Sequence, residues 1–72
     1  MSERPIDALD RAKGKKVMVK LKNGEEVTGI LKALDLHLNV WLEEAEISKS
    51  DSKLKVGTLL VRGDTIVYAS PV

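Results

Sequence analysis

The alternation of apolar and polar residues along the chain predicts one short helix followed by five strands. Apolar residues at helical spacing predict a helix over about residues 4–12, with Pro5 as its first residue and Gly14 beyond its end. From Lys16 the spacing of apolar residues changes to two, which is typical of a strand with one solvated face. We therefore predict strands at about 16–22, 25–34, 38–47, 54–61 and 65–70.

Polar segments separate these strands. Asn23-Gly24 predicts a tight hairpin turn, because both residues accept a positive φ at little cost. Arg62-Gly63-Asp64 predicts another tight turn, in which Gly63 supplies a positive φ and Asp64 bonds its own backbone two residues on. The polar run Ser48–Lys53 predicts a loop between the third and fourth strands.

One helix and five short strands favour an all-β fold with a short N-terminal helix. Gly29, in the middle of the second strand, indicates a bend or bulge that lets a sheet curl. We predict a single domain over residues 1–72, whose residues 16–70 form a five-stranded, strongly bent antiparallel barrel of SH3-like or OB-like type.

The last two strands carry apolar residues on both faces, which an exposed edge of a small barrel would not tolerate. These residues are Val56, Leu59, Leu60, Val61, Ile66, Val67, Tyr68 and Ala69. Either they fill the core of the lone subunit, or a second copy covers them. Pairing of the fourth strand with the fifth strand of the next copy would be a heterologous contact that can close into a ring.

Composition narrows the class of protein. A domain of 72 residues hides only about 60% of its unfolded surface, so association is a common way to gain stability. With no Cys and one His, we predict no disulfide, metal or cofactor. Neither the first eleven residues nor any later run has the apolar length of a targeting or membrane segment, so we expect a soluble, cytoplasmic protein without membrane contact.

Charge limits how the chain could bind nucleic acid. Twelve Lys and Arg against eleven Asp and Glu give a formal charge of +1, which does not indicate a broad phosphate-binding face. Trp41 and Tyr68 are the only aromatic residues, so one subunit offers no extended stacking platform. A nucleic-acid site in this chain must be small, or repeated by symmetry.

The segment from Leu34 to Val40 alternates strictly, so an extended backbone would place Asp35, His37 and Asn39 on one face. An imidazole can stack on a base, and an Asn amide matches the O4 and N3–H edge of uracil. Asp35 can accept hydrogen bonds from nearby backbone or from Asn39 and so fix the segment. The alternative is an ordinary turn with an exposed His.

Arg62, in the second turn, offers a guanidinium plane that could cover the other face of the same base. A solvated Arg in a simple turn is one alternative. Cell adhesion through Arg62-Gly63-Asp64 is another, which the lack of Cys and of a secretion signal disfavours. No nucleophile and base pair, Gly-rich phosphate loop or spaced acid pair is visible, so we predict neither catalysis nor a small-molecule substrate.

These residues resemble the two motifs of the Sm-like (Lsm) protein family, archaeal type. The first motif is matched by Lys22-Asn23-Gly24, Gly29, Leu31, Asp35, Asn39 and Leu42, and the second by Leu60-Val61-Arg62-Gly63-Asp64. The resemblance implies the Sm fold, usually seven subunits to a ring, with oligouridine bound at the rim of the pore. It further implies that His37 and Arg62 sandwich the base, that Asn39 reads its edge, and that Asp35 and Asp64 brace the two loops beside Gly63.

The predicted function is therefore a non-catalytic ring that binds uridine-rich single-stranded RNA, with a role in RNA processing or ribonucleoprotein assembly. We expect the ring to form through the last two strands. A ring that serves mainly as a scaffold for proteins, with little base preference, is the alternative, and a small nuclease is a third.

Overall fold

The structure is a computed structural model that describes residues 4–72. Its elements are α1 (Pro5–Asp10), β1 (Lys16–Leu21), β2 (Glu26–Leu34), β3 (Val40–Lys49), β4 (Ser52–Val61), a 3₁₀ turn (Gly63–Thr65) and β5 (Ile66–Pro71). The strands form one antiparallel sheet in the order β4-β3-β2-β1-β5. The predicted all-β fold with a short N-terminal helix is confirmed, and β4 and β5 are the two edges of the sheet.

The helix is shorter than the predicted span of 4–12. Pro5 is its first residue, as expected, and the carboxylate of Asp7 accepts the backbone N–H of Arg4 at 3.2 Å. Hydrogen bonds from Arg4, chiefly from its side chain, hold the pKa of Asp7 below its usual value. The chain leaves the helix after Asp10 through successive turns, and Gly14, at φ +82°, donates its N–H to Leu31.

The core lies on the inner face of the curled sheet, where strand residues alternate as their pattern predicted. Val17 and Val19 of β1 are buried, whereas Lys16 is exposed. The other buried apolar residues are Ala12, Val27, Leu31, Val40, Leu42, Ala45 and Val61. Burial of these nine side chains among residues 4–72 makes only a small core, as expected for a domain of this size.

Gly29 lies at a bulge between β2 and β3, in keeping with the bend or bulge predicted there. The pairing register shifts across Gly29, and the extra residue lies in β3, where Glu44 has φ +52°. A Cβ at Gly29 would lie 3.1 Å from both the carbonyl oxygen of Glu43 and the Cβ of Leu42. A side chain at this position would have to push β3 back by a few tenths of an ångström, so glycine favours the close approach of the two strands, and the register shift bends the sheet.

The hairpin between β1 and β2 forms at Asn23-Gly24, but for a partly different reason than predicted. Gly24 has φ +92° and donates its N–H to the carbonyl of Leu21 at 3.0 Å, whereas Asn23 does not have a positive φ. The side-chain oxygen of Asn23 instead accepts the N–H of Glu25 at 3.0 Å. The asparagine therefore stabilises the turn through its side chain.

The predicted loop at Ser48–Lys53 is wrong. Ser48 and Lys49 end β3, and they pair with Lys53 and Ser52 of β4, which leaves a two-residue turn in which Ser50 has φ +52°. Both faces of this ribbon are polar, so the apolar pattern carries no strand signal there. Backbone hydrogen bonds between the two strands extend them to the turn, and such bonds form with any side chains, so the sequence pattern does not indicate them.

The connection from β4 to β5 is not a hairpin, because β4 pairs with β3 and β5 pairs with β1. Four apolar residues of these two edge strands are exposed, namely Leu54, Leu60, Val67 and Tyr68. The interpretation that the apolar residues of the last two strands fill the core of the lone subunit is therefore wrong for Leu60, Val67 and Tyr68. Val61 is buried, and Val56, Leu59, Ile66 and Ala69 pack against the core.

Between residues 4 and 72, no helix has the length and apolar character needed to cross a membrane.

Candidate nucleic-acid interface

The segment between β2 and β3 is a tight turn, so an extended backbone does not set Asp35, His37 and Asn39 on one face. The side-chain Oδ1 of Asp35 accepts the backbone N–H groups of His37 at 2.9 Å and of Asn39 at 3.1 Å. The backbone reverses through Leu38, which has φ +61°, so β3 begins at Val40 instead of the predicted Leu38. Asp35 fixes this loop as predicted, but it does so by folding the loop around its carboxylate.

These hydrogen bonds also keep Asp35 ionised. Its pKa is lowered chiefly by the side-chain amide of Asn39, which donates to Oδ2 at 3.1 Å, and further by the backbone N–H groups of Asn39 and His37. Desolvation opposes this effect. The carboxylate therefore remains a charged acceptor at neutral pH.

Asn39 connects this loop to the loop between β4 and β5. Its Oδ1 accepts the backbone N–H of Gly63 at 2.8 Å, while its amide nitrogen donates to Asp35. The two loops meet because Val40 of β3 pairs with Val61 of β4, which places Asn39 beside Arg62. One amide hydrogen and one lone pair of Asn39 remain beyond these two bonds.

Gly63 is required by close packing and not by backbone conformation. Its φ is not positive, so the predicted reason for a glycine at this position is wrong. A Cβ at Gly63 would overlap the carbonyl oxygen of His37 and lie 2.8 Å from the carbonyl carbon of Leu38. Only a residue without a side chain lets the two loops touch.

Arg62 and Asp64 form an ion pair at the rim of this contact. The Nη2 of Arg62 donates to Oδ2 of Asp64 at 3.0 Å, and both side chains are exposed. The predicted bond from Asp64 to its own backbone does not form. The turn is instead closed by the hydroxyl of Thr65, which donates to the carbonyl of Arg62 at 2.7 Å. An exposed pair of this kind adds little stability, but it limits the orientations of the guanidinium.

Five of the six predicted site residues line one open cleft of about 430 Å³, and we call it the loop cleft. They are His37, Asn39, Arg62, Gly63 and Asp64. Asp35 does not line the cleft, but its hydrogen bonds hold the first loop in place. The cleft thus combines an imidazole, a guanidinium and a partly used amide, which can stack on a planar base and bond its edge.

The link between Asn39 and Gly63 was not foreseen from the sequence. The two residues are 24 positions apart, and the bond depends on the pairing of β3 with β4. A glycine flanked by two charged residues is compatible with many turns, so no local pattern signals this contact.

The fold and the two coupled loops define a small, strongly bent β-barrel protein with a polar cleft at one end of its sheet. The LSM domain family model matches residues 7–71. The chain therefore belongs to the Sm-like (LSM domain) family, as its two motifs indicated.

Curated relatives and solved structures agree with this assignment. The chain is 43% identical to an Sm-like protein of Archaeoglobus fulgidus, with 99% of this chain and 94% of the relative covered. It is also similar to the P. aerophilum SmAP1 heptamer, with a TM-score of 0.92, 38% identity and coverage of 100% and 97%. A third similar structure is the Pyrococcus abyssi Sm protein in complex with a uridine heptamer, with a TM-score of 0.90, 41% identity and coverage of 97% and 100%.

Proposed function

We propose that the chain is a non-catalytic RNA-binding protein that assembles into a ring of seven identical subunits and binds uridine-rich single-stranded RNA at the pore. The observation that carries the proposal is the contact between the two loops, in which Asn39 and Gly63 bring His37 and Arg62 to one cleft. The heptameric form of one similar structure and the uridine heptamer bound to another support it.

Within the loop cleft, each predicted residue has a distinct role in this proposal. His37 and Arg62 stack on opposite faces of a uracil, since both side chains are exposed and planar. The remaining amide hydrogen and lone pair of Asn39 bond the edge of the base. Asp35 and Asp64 hold the loop and the guanidinium in position, through the hydrogen bonds described above.

Self-assembly explains how such a small cleft could bind RNA well. Stacking of one base contributes about 1–3 kcal/mol, which alone gives millimolar or weaker affinity. In a ring, each further base binds intramolecularly, at an effective concentration of about millimolar. The free edges of β4 and β5, with their exposed apolar residues, provide the two halves of the contact that would build the ring.

Fluorescence anisotropy with labelled oligouridine and oligoadenosine tests this function. We expect tighter binding of oligouridine, and a loss of about 1–3 kcal/mol per occupied cleft in His37→Ala and in Arg62→Ala. Lys49→Ala is the matched control, because it removes one positive charge at the opposite end of β3 from the cleft. It should bind as the unaltered protein does.

Unchanged binding in both cleft variants would overturn the assignment of the site. Equal affinity for the two homopolymers would instead favour the ring as a scaffold for proteins. Incubation with labelled RNA, with and without magnesium, should leave the RNA intact if the protein is not a nuclease.

The cellular role that we propose is RNA processing or ribonucleoprotein assembly in the cytoplasm. Ultraviolet cross-linking in cells, followed by sequencing of the bound RNA, should recover uridine-rich tracts. Recovery of tracts without uridine enrichment would contradict this role.

A further inference from the structure

Asn39 is the residue of the loop cleft best suited to tell one base from another. His37 and Arg62 offer planar groups, and stacking on such groups tolerates any sequence because every base has a π-face. The amide of Asn39 instead carries a donor and an acceptor, which distinguish bases by the pattern along their edges. The selectivity of the cleft therefore depends chiefly on how this amide is oriented.

The partners of Asn39 allow only one orientation of its amide. The carboxylate of Asp35 only accepts, so the group of Asn39 that lies 3.1 Å from its Oδ2 is the NH2 group. The backbone N–H of Gly63 only donates, so the group that lies 2.8 Å from its nitrogen is Oδ1. Turning the amide over would set two acceptors against each other at Asp35 and two donors against each other at Gly63. The network therefore locks the amide.

The donor and the acceptor that remain to Asn39 lie at the free end of its amide. Asp35 accepts the backbone N–H of Asn39 with Oδ1 and the side-chain NH2 with Oδ2, both at 3.1 Å. A carboxylate that spans both nitrogens of one residue lies beside that residue, so it takes the amide hydrogen that points back toward the backbone. The other hydrogen lies next to Oδ1, which keeps one lone pair. Because Asn39 lines the cleft, a base meets a donor and an acceptor side by side, in a fixed order.

Uracil and guanine present the same pattern to such an amide. Each has a keto oxygen that accepts, O4 in uracil and O6 in guanine, next to a ring N–H that donates. Cytosine and adenine have an amino group in place of the keto oxygen and a ring nitrogen without hydrogen in place of the N–H. Against the locked amide, these two bases set donor against donor and acceptor against acceptor. They match it only when turned over, which moves the ribose out of line with the strand.

We propose that the loop cleft selects the keto edge shared by uracil and guanine, so that guanosine replaces uridine in a bound strand whereas cytidine and adenosine do not. This inference rests on the RNA-binding function proposed above and widens its ligand from one base to a class of two. The cleft has room for a purine, because it is open and measures about 430 Å³. A purine also adds a second ring for stacking on His37 and Arg62.

Oligonucleotides that differ only in alternate bases test the inference. Fluorescence anisotropy is measured with a uridine heptamer and with three variants that carry guanosine, cytidine or adenosine at the second, fourth and sixth positions. Adenosine is the matched control for guanosine, because the two share the purine ring system and differ at the edge that Asn39 would read. We expect the guanosine strand to bind within about threefold of the uridine heptamer, and the cytidine and adenosine strands to bind about tenfold or more weakly.

A uridine heptamer methylated at N3 tests the same edge from the other side. The methyl group replaces the hydrogen that Oδ1 of Asn39 would accept, while the planar ring remains for stacking. We expect its affinity to fall about tenfold or more below that of the unmodified heptamer.

Asp35→Asn tests whether the carboxylate orients Asn39. The new side chain presents either an oxygen or an NH2 group to Asn39, so both orientations of the amide become available. We expect the difference in affinity between the uridine and cytidine strands to narrow several-fold. Arg62→Ala is the comparison variant, because it should weaken all four strands and keep their order. The strand series decides the matter by itself if Asp35→Asn does not fold.

The possible results separate this inference from the proposed function. A guanosine strand that binds as weakly as the adenosine strand would overturn the inference and show that the cleft excludes purines. Equal binding of all four strands, or full binding of the N3-methylated heptamer, would also overturn it. An unchanged preference for uridine over cytidine in folded Asp35→Asn would show that the carboxylate does not set the selectivity and would contradict the scheme. Failure of the uridine heptamer itself to bind would overturn the function proposed above.

Discussion

Gly63 shows how a single residue decides whether the two loops can meet. The overlap that any side chain would make is with the backbone of His37 and Leu38, which cannot rotate away as a flexible side chain could. The bond from its N–H to Asn39 then fixes the distance between the loops. The site therefore depends on the absence of a side chain as much as on the side chains that line it.

Gly63→Ala should separate the loops and weaken both stability and RNA binding. Overpacking of this kind costs about 1–3 kcal/mol, and the same displacement moves Arg62 away from His37. Thermal unfolding and oligouridine affinity measure the two effects. Gly57→Ala is a suitable control, because a Cβ there meets nothing within 4 Å although φ is +73°. It should lose stability through backbone strain and keep its affinity for RNA, whereas full affinity in Gly63→Ala would contradict the role of the contact.

Asp35 should make the first loop sensitive to acid. Its pKa is lowered in the folded protein, so its contribution to stability is fully present above the unfolded value of about 3.9 and is lost as the pH falls through the folded value. Melting temperatures measured between neutral and strongly acidic pH should therefore fall more steeply in the unaltered protein than in Asp35→Asn. Asp51→Asn removes a carboxylate on the turn between β3 and β4 and should retain the steep fall. Identical profiles for the unaltered protein and Asp35→Asn would show that the carboxylate does not stabilise the fold.

Among the elements, β2 and β3 come closest together at Gly29, where the pairing register shifts. Gly29→Ala would place a Cβ 3.1 Å from the carbonyl oxygen of Glu43 and 3.2 Å from the Cα of Ala45, and neither backbone atom can easily move. We expect a loss of about 1–3 kcal/mol in the free energy of unfolding, measured with denaturant. The conservative change Thr28→Ser, at the adjacent half-buried position, should cost much less. Equal stability of Gly29→Ala and the unaltered protein would mean that β3 can retreat without cost.

The sequence predicted best those strands that bury one face and expose the other. Val17 and Val19 alternate with lysines and with Met18, and their strand was predicted almost to the residue. The ribbon at residues 48–53 was missed because it has no buried face, so only hydrogen bonding between strands distinguishes it from a loop. At residues 35–39 the apolar and polar residues do alternate, as in a strand. The backbone nevertheless forms a turn, because the Asp35 side chain accepts hydrogen bonds from the backbone N–H groups of His37 and Asn39.

The sequence grouped residues that the structure brings to one cleft, but it did not give the geometry of that cleft. The sequence identified His37, Asn39 and Arg62 as a group, and the structure places them at one cleft. It did not reveal that Asn39 uses half of its amide to bond the backbone and Asp35, or why position 63 must be glycine. Both depend on contacts between distant segments, which no local pattern records.

For the whole molecule, the near balance of charge predicts how RNA binding should respond to salt. The formal charge is +1, and several lysines are paired with carboxylates, for example Lys20 with Glu26 and Lys32 with Glu43. Each neutralised phosphate of a single strand adds about 0.7 to the slope of log affinity against log salt. We expect a shallow slope for oligouridine, measured by anisotropy over a salt series and unchanged in Lys49→Ala. A steep slope would indicate that lysines grip the backbone instead.

We propose that one cleft per subunit holds one base and that a closed ring multiplies this weak contact. Native mass spectrometry of the purified protein, with and without a uridine heptamer, tests the two parts together. We expect a ring of seven subunits that takes up one RNA strand, and a ring of Arg62→Ala that has the same number of subunits but takes up little RNA. A stable lone subunit, or equal uptake by both proteins, would contradict it.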